Sequence, residues 1–277
     1  MRGWCCTVPS CHRSRDGVAD LAIWAAQRAY VGSVRRQVQG SVSALAAGLV
    51  LGTLGSASAH DGAPADVDPL VGTGGAEPWF NGGTTPAAAV PFGMLQLGPD
   101  TSDDDVTGAP SVTGSGYAAR DRLVRGFSPL HLSGVGGCRV LGDAPVLPAV
   151  GEVPPDLGSA TAPLVRSTER AAPGRYGVTL GNGVQVDLAA GSRAGLLRFA
   201  YPVGSQALVV LKSSGRTRFL SDHEVAVTSH GGGFCGRDNH YVVHVLYRFD
   251  QAFAARGRRA DGAWLEFGPQ RVVRAQV

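Results

Sequence analysis

The chain reads as an all-β protein, and three observations carry that reading. Between Ala59 and Val277 no long amphipathic helical period is found. Short runs rich in valine, leucine and aromatic residues recur there, separated by turn residues. Glycine, at 40 residues, and proline, at 17, are frequent enough to supply the turns. Such a succession of short strands predicts an antiparallel sandwich or a barrel. No internal repeat is visible.

The elements follow in order. Residues 31–59 have the pattern of a signal peptide: Arg35 and Arg36 form a positive start, 42–54 is apolar, and Ala57-Ser58-Ala59 is a small-x-small cleavage site. The apolar run is short and interrupted by glycine, which argues against a transmembrane helix. Secretion, or a periplasmic or cell-surface location, is therefore expected, with no membrane contact after cleavage. Residues 1–30 do not belong in front of such a signal. The expected true start is near Val31, with 1–30 a mis-annotated extension or leader.

Residues 60–277 then form the expected domain. Its first part, 68–143, is dominated by glycine, proline and small polar residues, with isolated large groups such as Trp79, Phe80, Phe92 and His131. Most of it shows neither a helical nor a strand period. Long structureless segments in compact domains are commonly functional. The predicted role is a glycine-supported surface carrying aromatic and polar contacts to a glycan; turns over a β core are the alternative.

Strands are predicted at 94–97, 146–150, 176–180, 184–189, 196–201, 207–212, 224–228, 240–249 and 263–267. Pro148 demotes the second to an edge or a bulge. The pair flanking Gly181-Asn182-Gly183 is a hairpin. Val184, Val186 and Leu188 alternate with Gln185 and Asp187, so one face is buried and one is wet. The closing RVVRAQV reads as another strand, expected either as an outer strand or as a cut from something longer.

Composition excludes some functions. The formal net charge is +3, but six arginines and two aspartates precede Ala59, and the remainder holds 19 basic and 20 acidic residues. A neutral body offers no electrostatic footprint for nucleic acid. Of five cysteines only Cys138 and Cys235 fall in the body; they either bridge or stay as small buried groups. No HExxH, CxxC pair, GxSxG or phosphate loop is present.

Weaker signals remain. His240 and His244 fall on one strand face, near Cys235, and read as half-buried hydrogen-bonded side chains rather than metal ligands. Asp103-Asp104-Asp105 reads as a solvated tip, with calcium the alternative. The stretch 231–241, GGGFCGRDNHY, is either a sugar-contacting surface or a hairpin turn feeding the next strand. No spacing marks the carboxyl pair that glycoside hydrolysis needs.

Several pieces occur in a familiar order: DPLVGTGG, PFGMLQLGPDT, RGFSPLHLSGVGGCRVLGD, SRAGLLRFAYP, and GGGFCG followed by a strand. In that order they resemble the N-terminal β-sandwich domain of glycoside hydrolase family 92, the calcium-dependent exo-acting α-mannosidases. The resemblance covers most of 66–277 and implies a large, galactose-mutarotase-like sandwich. It also implies a second, α/α-barrel domain, absent from this chain, that supplies the catalytic acid, the base and most of a calcium site. No catalytic residue and no bound calcium are then expected here.

Carried over by motif, the implied substrate-binding residues are Gly74, Gly75, Trp79, His131, Ser133, Phe234 and Cys235, facing a mannose-terminated glycan. Trp79 would stack on the sugar. Three positions depart from the family pattern: Pro129 replaces a second histidine, Pro86-Ala87-Ala88 replaces a proline–glycine–alanine, and a glycine is inserted at Gly136-Gly137. The function implied is the carbohydrate-binding half of a secreted α-mannosidase-like enzyme, inactive without its partner domain. The alternatives are a free-standing carbohydrate-binding module and a non-functional fragment.

Overall fold

The protein is described here from a computed structural model covering residues 67–74, 83–102, 115–132, 142–233 and 236–277. All of these lie within the compact unit His60–Val277. The described residues contain no α-helix. Their first eight strands are β1 (Ala88–Ala89), β2 (Gln96–Ser102), β3 (Leu123–Ser128), β4 (Val146–Val150), β5 (Ala162–Ala172), β6 (Arg175–Leu180), β7 (Gln185–Ala190) and β8 (Gly195–Ala200). Then come β9 (Ala207–Lys212), β10 (Thr217–Phe219), β11 (Glu224–Gly231), β12 (Tyr241–Phe249), β13 (Ala255–Arg259), β14 (Gly262–Gly268) and β15 (Val272–Gln276).

One hydrogen-bonded path runs β10-β11-β12-β15-β8-β7-β6-β5-β3-β4-β9-β14-β13, with β2 and β1 attached through β3. Every pairing is antiparallel. The path turns over at β5, whose Ala162 and Pro163 pair with β3 while Leu164 onward pairs with β6. The two halves then face each other. Phe249 of β12 lies 5.2 Å from Phe267 of β14, and Phe127 of β3 lies 6.4 Å from Tyr176 of β6. The Tyr247 hydroxyl donates across the layers to Ala144 O at 2.7 Å, and that of Tyr201 to Leu208 O at 2.8 Å. The result is a sandwich whose core is drawn from both layers. Each fully buried Val, Leu or Phe contributes roughly 1.5–3 kcal/mol.

Strands β4 and β9 take the predicted bounds. The hairpin of β6 and β7 forms as predicted, closed by Gly183 at φ 83 and by Gly183 N donating to Leu180 O at 2.8 Å. At Pro148 the strand is paired on the β9 side, while β3 reaches only Val146. The missing N–H therefore costs no full ladder.

Two expectations are corrected. The final segment is not an outer strand: β15 pairs with β8 over five residues and with β12 at Arg248 and Phe249. Nor are the described residues of 68–143 without regular structure beyond the short strand predicted at 94–97. They contain β1, β2 and β3, and β2 is buried along both faces from Leu97 to Thr101. A strand covered on both sides shows no alternation. Gly98 hides it further, because a Cβ there would sit 2.5 Å from that of Ala87.

Strand β5 was also unpredicted. Arg166, Ser167, Thr168 and Glu169 bulge against the single residue Val178 of β6, which breaks the two-residue period.

Candidate functional site

The site is built where β2, β3 and the β11–β12 hairpin converge. Asp100 lies in the middle of β2 and is 1 % exposed. A lone buried carboxylate is costly, and the chain surrounds this one with donors. Gly142 N donates to Oδ1 at 2.6 Å, and Ser128 Oγ of β3 donates to Oδ2. His131 Nε2 stands 3.2 Å from Oδ1, close enough for a charge contact but out of line for a hydrogen bond.

The other ring nitrogen of His131 meets Gln96 O at 2.8 Å. A carbonyl only accepts, so Nδ1 carries a proton. Burial disfavours the imidazolium, but the Asp100 carboxylate and the Gln96 carbonyl outweigh it, and the pKa is raised above its ordinary value. His131 and Asp100 thus form a buried pair, ionic when the imidazole is protonated, that ties the segment after β3 to β2.

Asp143 is the second carboxylate. It accepts from the Tyr241 hydroxyl at 2.8 Å and from Ser229 Oγ at 3.5 Å. Burial raises its pKa against the pull of those hydrogen bonds, and the charge of Asp100 adds to the rise. Burial and Asp143 together raise the Tyr241 pKa.

The Asp143–Tyr241 pair stands between two clefts. One, of about 520 Å³, is bounded by Asp100, Arg125, Lys212, Ser214, Ser229 and Gly232. The other, of about 390 Å³, is bounded by Met94, His131, Leu132 and Val243. Lys212, itself buried, lines the first. Burial and the nearby Arg125 lower its pKa to about 8, and its ammonium donates to Gly158 O at 3.1 Å and to Ala160 O. Charged, hydroxyl and backbone groups line this cleft together with Ala144 and Pro145, a mixture that suits a polyhydroxylated ligand.

Of the residues implied by motif, His131 is found here, buried against Asp100. Gly74 is exposed and lies elsewhere in the contact network: its neighbour Thr73 accepts from Ala119 N at 3.0 Å, and no described residue of its loop lines either cleft. A Cβ on Gly74 would meet Ala119 at an ordinary 3.5 Å, so nothing there demands glycine. That loop rests on Tyr117 to Asp121. The Arg166 guanidinium holds this turn through Ala118 O at 2.9 Å and the Tyr117 hydroxyl at 2.7 Å. Gly75, Trp79, Ser133, Phe234 and Cys235 lie outside the described residues, as do Cys138 and Asp103 to Asp105.

The glycines before Phe234 have a local cause. A Cβ on Gly231 would sit 2.3 Å from the Tyr241 ring, and one on Gly232, at φ 104, 2.3 Å from Asn239 O. The close approach is to the returning strand of the same hairpin. His240 precedes β12 and is exposed, while half-buried His244 meets Thr228 Oγ1 at 3.2 Å.

Residues 66–271 match the model of the glycosyl hydrolase family 92 N-terminal domain. The chain belongs to that family. An uncharacterized secreted glycosidase of Arthroderma benhamiae is 28% identical over 144 residues, covering 49% of this chain and 17% of that protein.

Among solved structures, a family GH92 α-mannosidase of Bacteroides thetaiotaomicron shares the fold with a TM-score of 0.59 at 24% identity, over 76% of this chain and 32% of that one. A GH92 inverting mannosidase of the same species gives 0.59 at 25%, over 76% and 30%. The family 92 chain described here thus spans about a third of the length of those enzymes.

Calcium, implied by the family resemblance, takes six to eight oxygen ligands. Among the described residues no three acidic, histidine or cysteine side chains converge on such a point, and both Asp100 oxygens are engaged. The described residues do not fit that ion.

Asp100, Asp143, Tyr241 and Lys212 were not singled out from sequence.

Proposed function

We propose that this chain is the sugar-binding β-sandwich of a secreted α-mannosidase-like glycosidase, and that the cleft beside Asp143 and Tyr241 receives the terminal mannose of a glycan. The observation that carries the reading is the family match over 66–271, together with a polar cleft at the meeting point of two motif pieces. Asp143 and Ser229 would accept from or donate to sugar hydroxyls. Asp100 is committed to Ser128, Gly142 and His131, so it is no candidate for acid–base work. In this reading hydrolysis requires carboxyl groups outside the sandwich.

The test is calorimetric titration of methyl α-mannoside into the chain, with an α-mannoside hydrolysis assay run with and without calcium. Binding with a Kd on the order of 1 mM is expected, weakened in Asp143→Ala, with no turnover. A chain that binds mannoside and glucoside equally, or neither, would refute the site. Turnover by the chain alone would refute the division of labour.

A further inference from the structure

The two ends of the strand path, β10 and β13, come together, and the hollow between them is basic. Arg258 of β13 donates to Thr217 O of β10 at 3.0 Å. A concavity of about 490 Å³ is lined there by Arg216, Thr217, Arg258 and Arg259 with Gly215 and Gly262, and no carboxylate lines it. Asp261 sits in the same turn but faces away, accepting from Gly158 N at 2.8 Å in the other cleft.

Proximity sets this cluster apart: other described arginines also lack a carboxylate, but here three line one hollow. Arg170, Arg198, Arg248 and Arg274, on β5, β8, β12 and β15, each meet a carboxylate. Arg216, Arg258 and Arg259 meet none among the described residues. Arg258 and Arg259 use Nη1 on backbone carbonyls, those of Thr217 and of Pro154 and Pro155. Their remaining donors stay open, since a guanidinium has five. Arg216 makes no side-chain hydrogen bond among the described residues. The floor is bare because a Cβ on Gly215 would sit 2.4 Å from Thr228 O, and one on Gly262 2.2 Å from Leu211 O.

Three unneutralised guanidiniums around a bare floor suit a planar or tetrahedral oxyanion. We propose that this hollow binds the acidic groups, carboxylate or sulfate ester, of a polysaccharide. A nucleic acid is disfavoured because the body is otherwise neutral and offers no basic stripe for a continuous phosphate backbone. Choosing a glycan as the carrier rests on the function proposed above; the anion site itself does not.

The test is calorimetry at low and high salt with four probes: a dextran sulfate oligomer, an oligogalacturonate, a neutral dextran oligomer, and a single-stranded oligonucleotide of matched charge. Binding of one or both acidic oligosaccharides is expected, weakened by salt, with none for neutral dextran. The two acidic arms separate sulfate from carboxylate recognition. Arg216→Gln, which breaks no contact of the fold, should lower that affinity about tenfold and leave methyl α-mannoside binding unchanged.

Unchanged affinity in R216Q, no acidic binding, or equal binding of the oligonucleotide would overturn the proposal. Acidic binding without mannoside binding would uphold the anion site and remove the mannose reading instead.

Discussion

Replacing Asp100 by asparagine keeps the side-chain shape and removes the charge at the centre of the cluster. The carboxylate receives Gly142 N at 2.6 Å and Ser128 Oγ, and faces His131 Nε2 at 3.2 Å. Hydrogen bonds to a buried charge are worth roughly 1.5–3 kcal/mol each. Removing one partner of a buried pair costs about 3–5 kcal/mol. These overlap in one network and do not add, so about 3–5 kcal/mol is expected at pH 6.

The pH dependence follows from the raised pKa of His131. A group whose pKa is raised on folding stabilises fully below its unfolded value, near 6.5, and loses that contribution as pH climbs through the folded value. The penalty of Asp100→Asn should therefore shrink toward pH 9, where only the hydrogen-bond part remains. Thermal scans by circular dichroism at pH 6 and pH 9 read this directly. A shift of roughly 10 °C is expected at pH 6 for a domain of this size. An equal shift at both pH values would show that His131 is not charged in the fold, and a negligible shift at both would show that Asp100 organises nothing.

Three further outcomes follow from the same contacts. Gly142→Ala would place a Cβ 2.3 Å from that of Ser128, so it should cost about 2 kcal/mol by overpacking, read as a lower urea midpoint. Lys212, lowered from 10.5 to about 8 by burial, releases its proton earlier in the fold than in the unfolded chain. Stability should rise by about 3 kcal/mol from pH 8 to 10.5 on its account; Lys212→Met should abolish that rise, and an unchanged profile would refute it. Tyr241→Phe removes the 2.8 Å bond to Asp143 and should cost about 1 kcal/mol while weakening methyl α-mannoside binding; retention of full affinity would place the sugar away from this pair.

What sequence could show depended on whether a residue's role is set locally. In β7, Gln185 and Val186 sit on opposite faces, so alternation announced the strand. In β9 all six residues are buried, and a continuous apolar run announced that one. The first layer was harder to see, because Gly98 replaces a side chain where β2 meets Ala87, and β5 is interrupted at 166–169 by residues that brace Tyr117 rather than pair. The candidate site was harder still. Asp100 is defined by partners 28 and 42 residues away, and Asp143 by Tyr241, 98 residues on.

The glycine-rich stretch at 231–233 reads in sequence as a surface made for a ligand, yet the nearest atoms to its absent side chains belong to Tyr241, Asn239 and His240. Glycine reports that something comes close without saying what. A carboxylate inside a buried strand is more informative, because burying it costs several kcal/mol unless partners are supplied. A chain that keeps Asp100 there must also supply Ser128, Gly142 and His131. Those partners fix the segment leading out of β3 and the one leading into β4, and Asp143 lies beside Gly142 in the latter. The buried aspartate therefore sets the position of Asp143, the carboxylate that the proposed function turns toward the sugar.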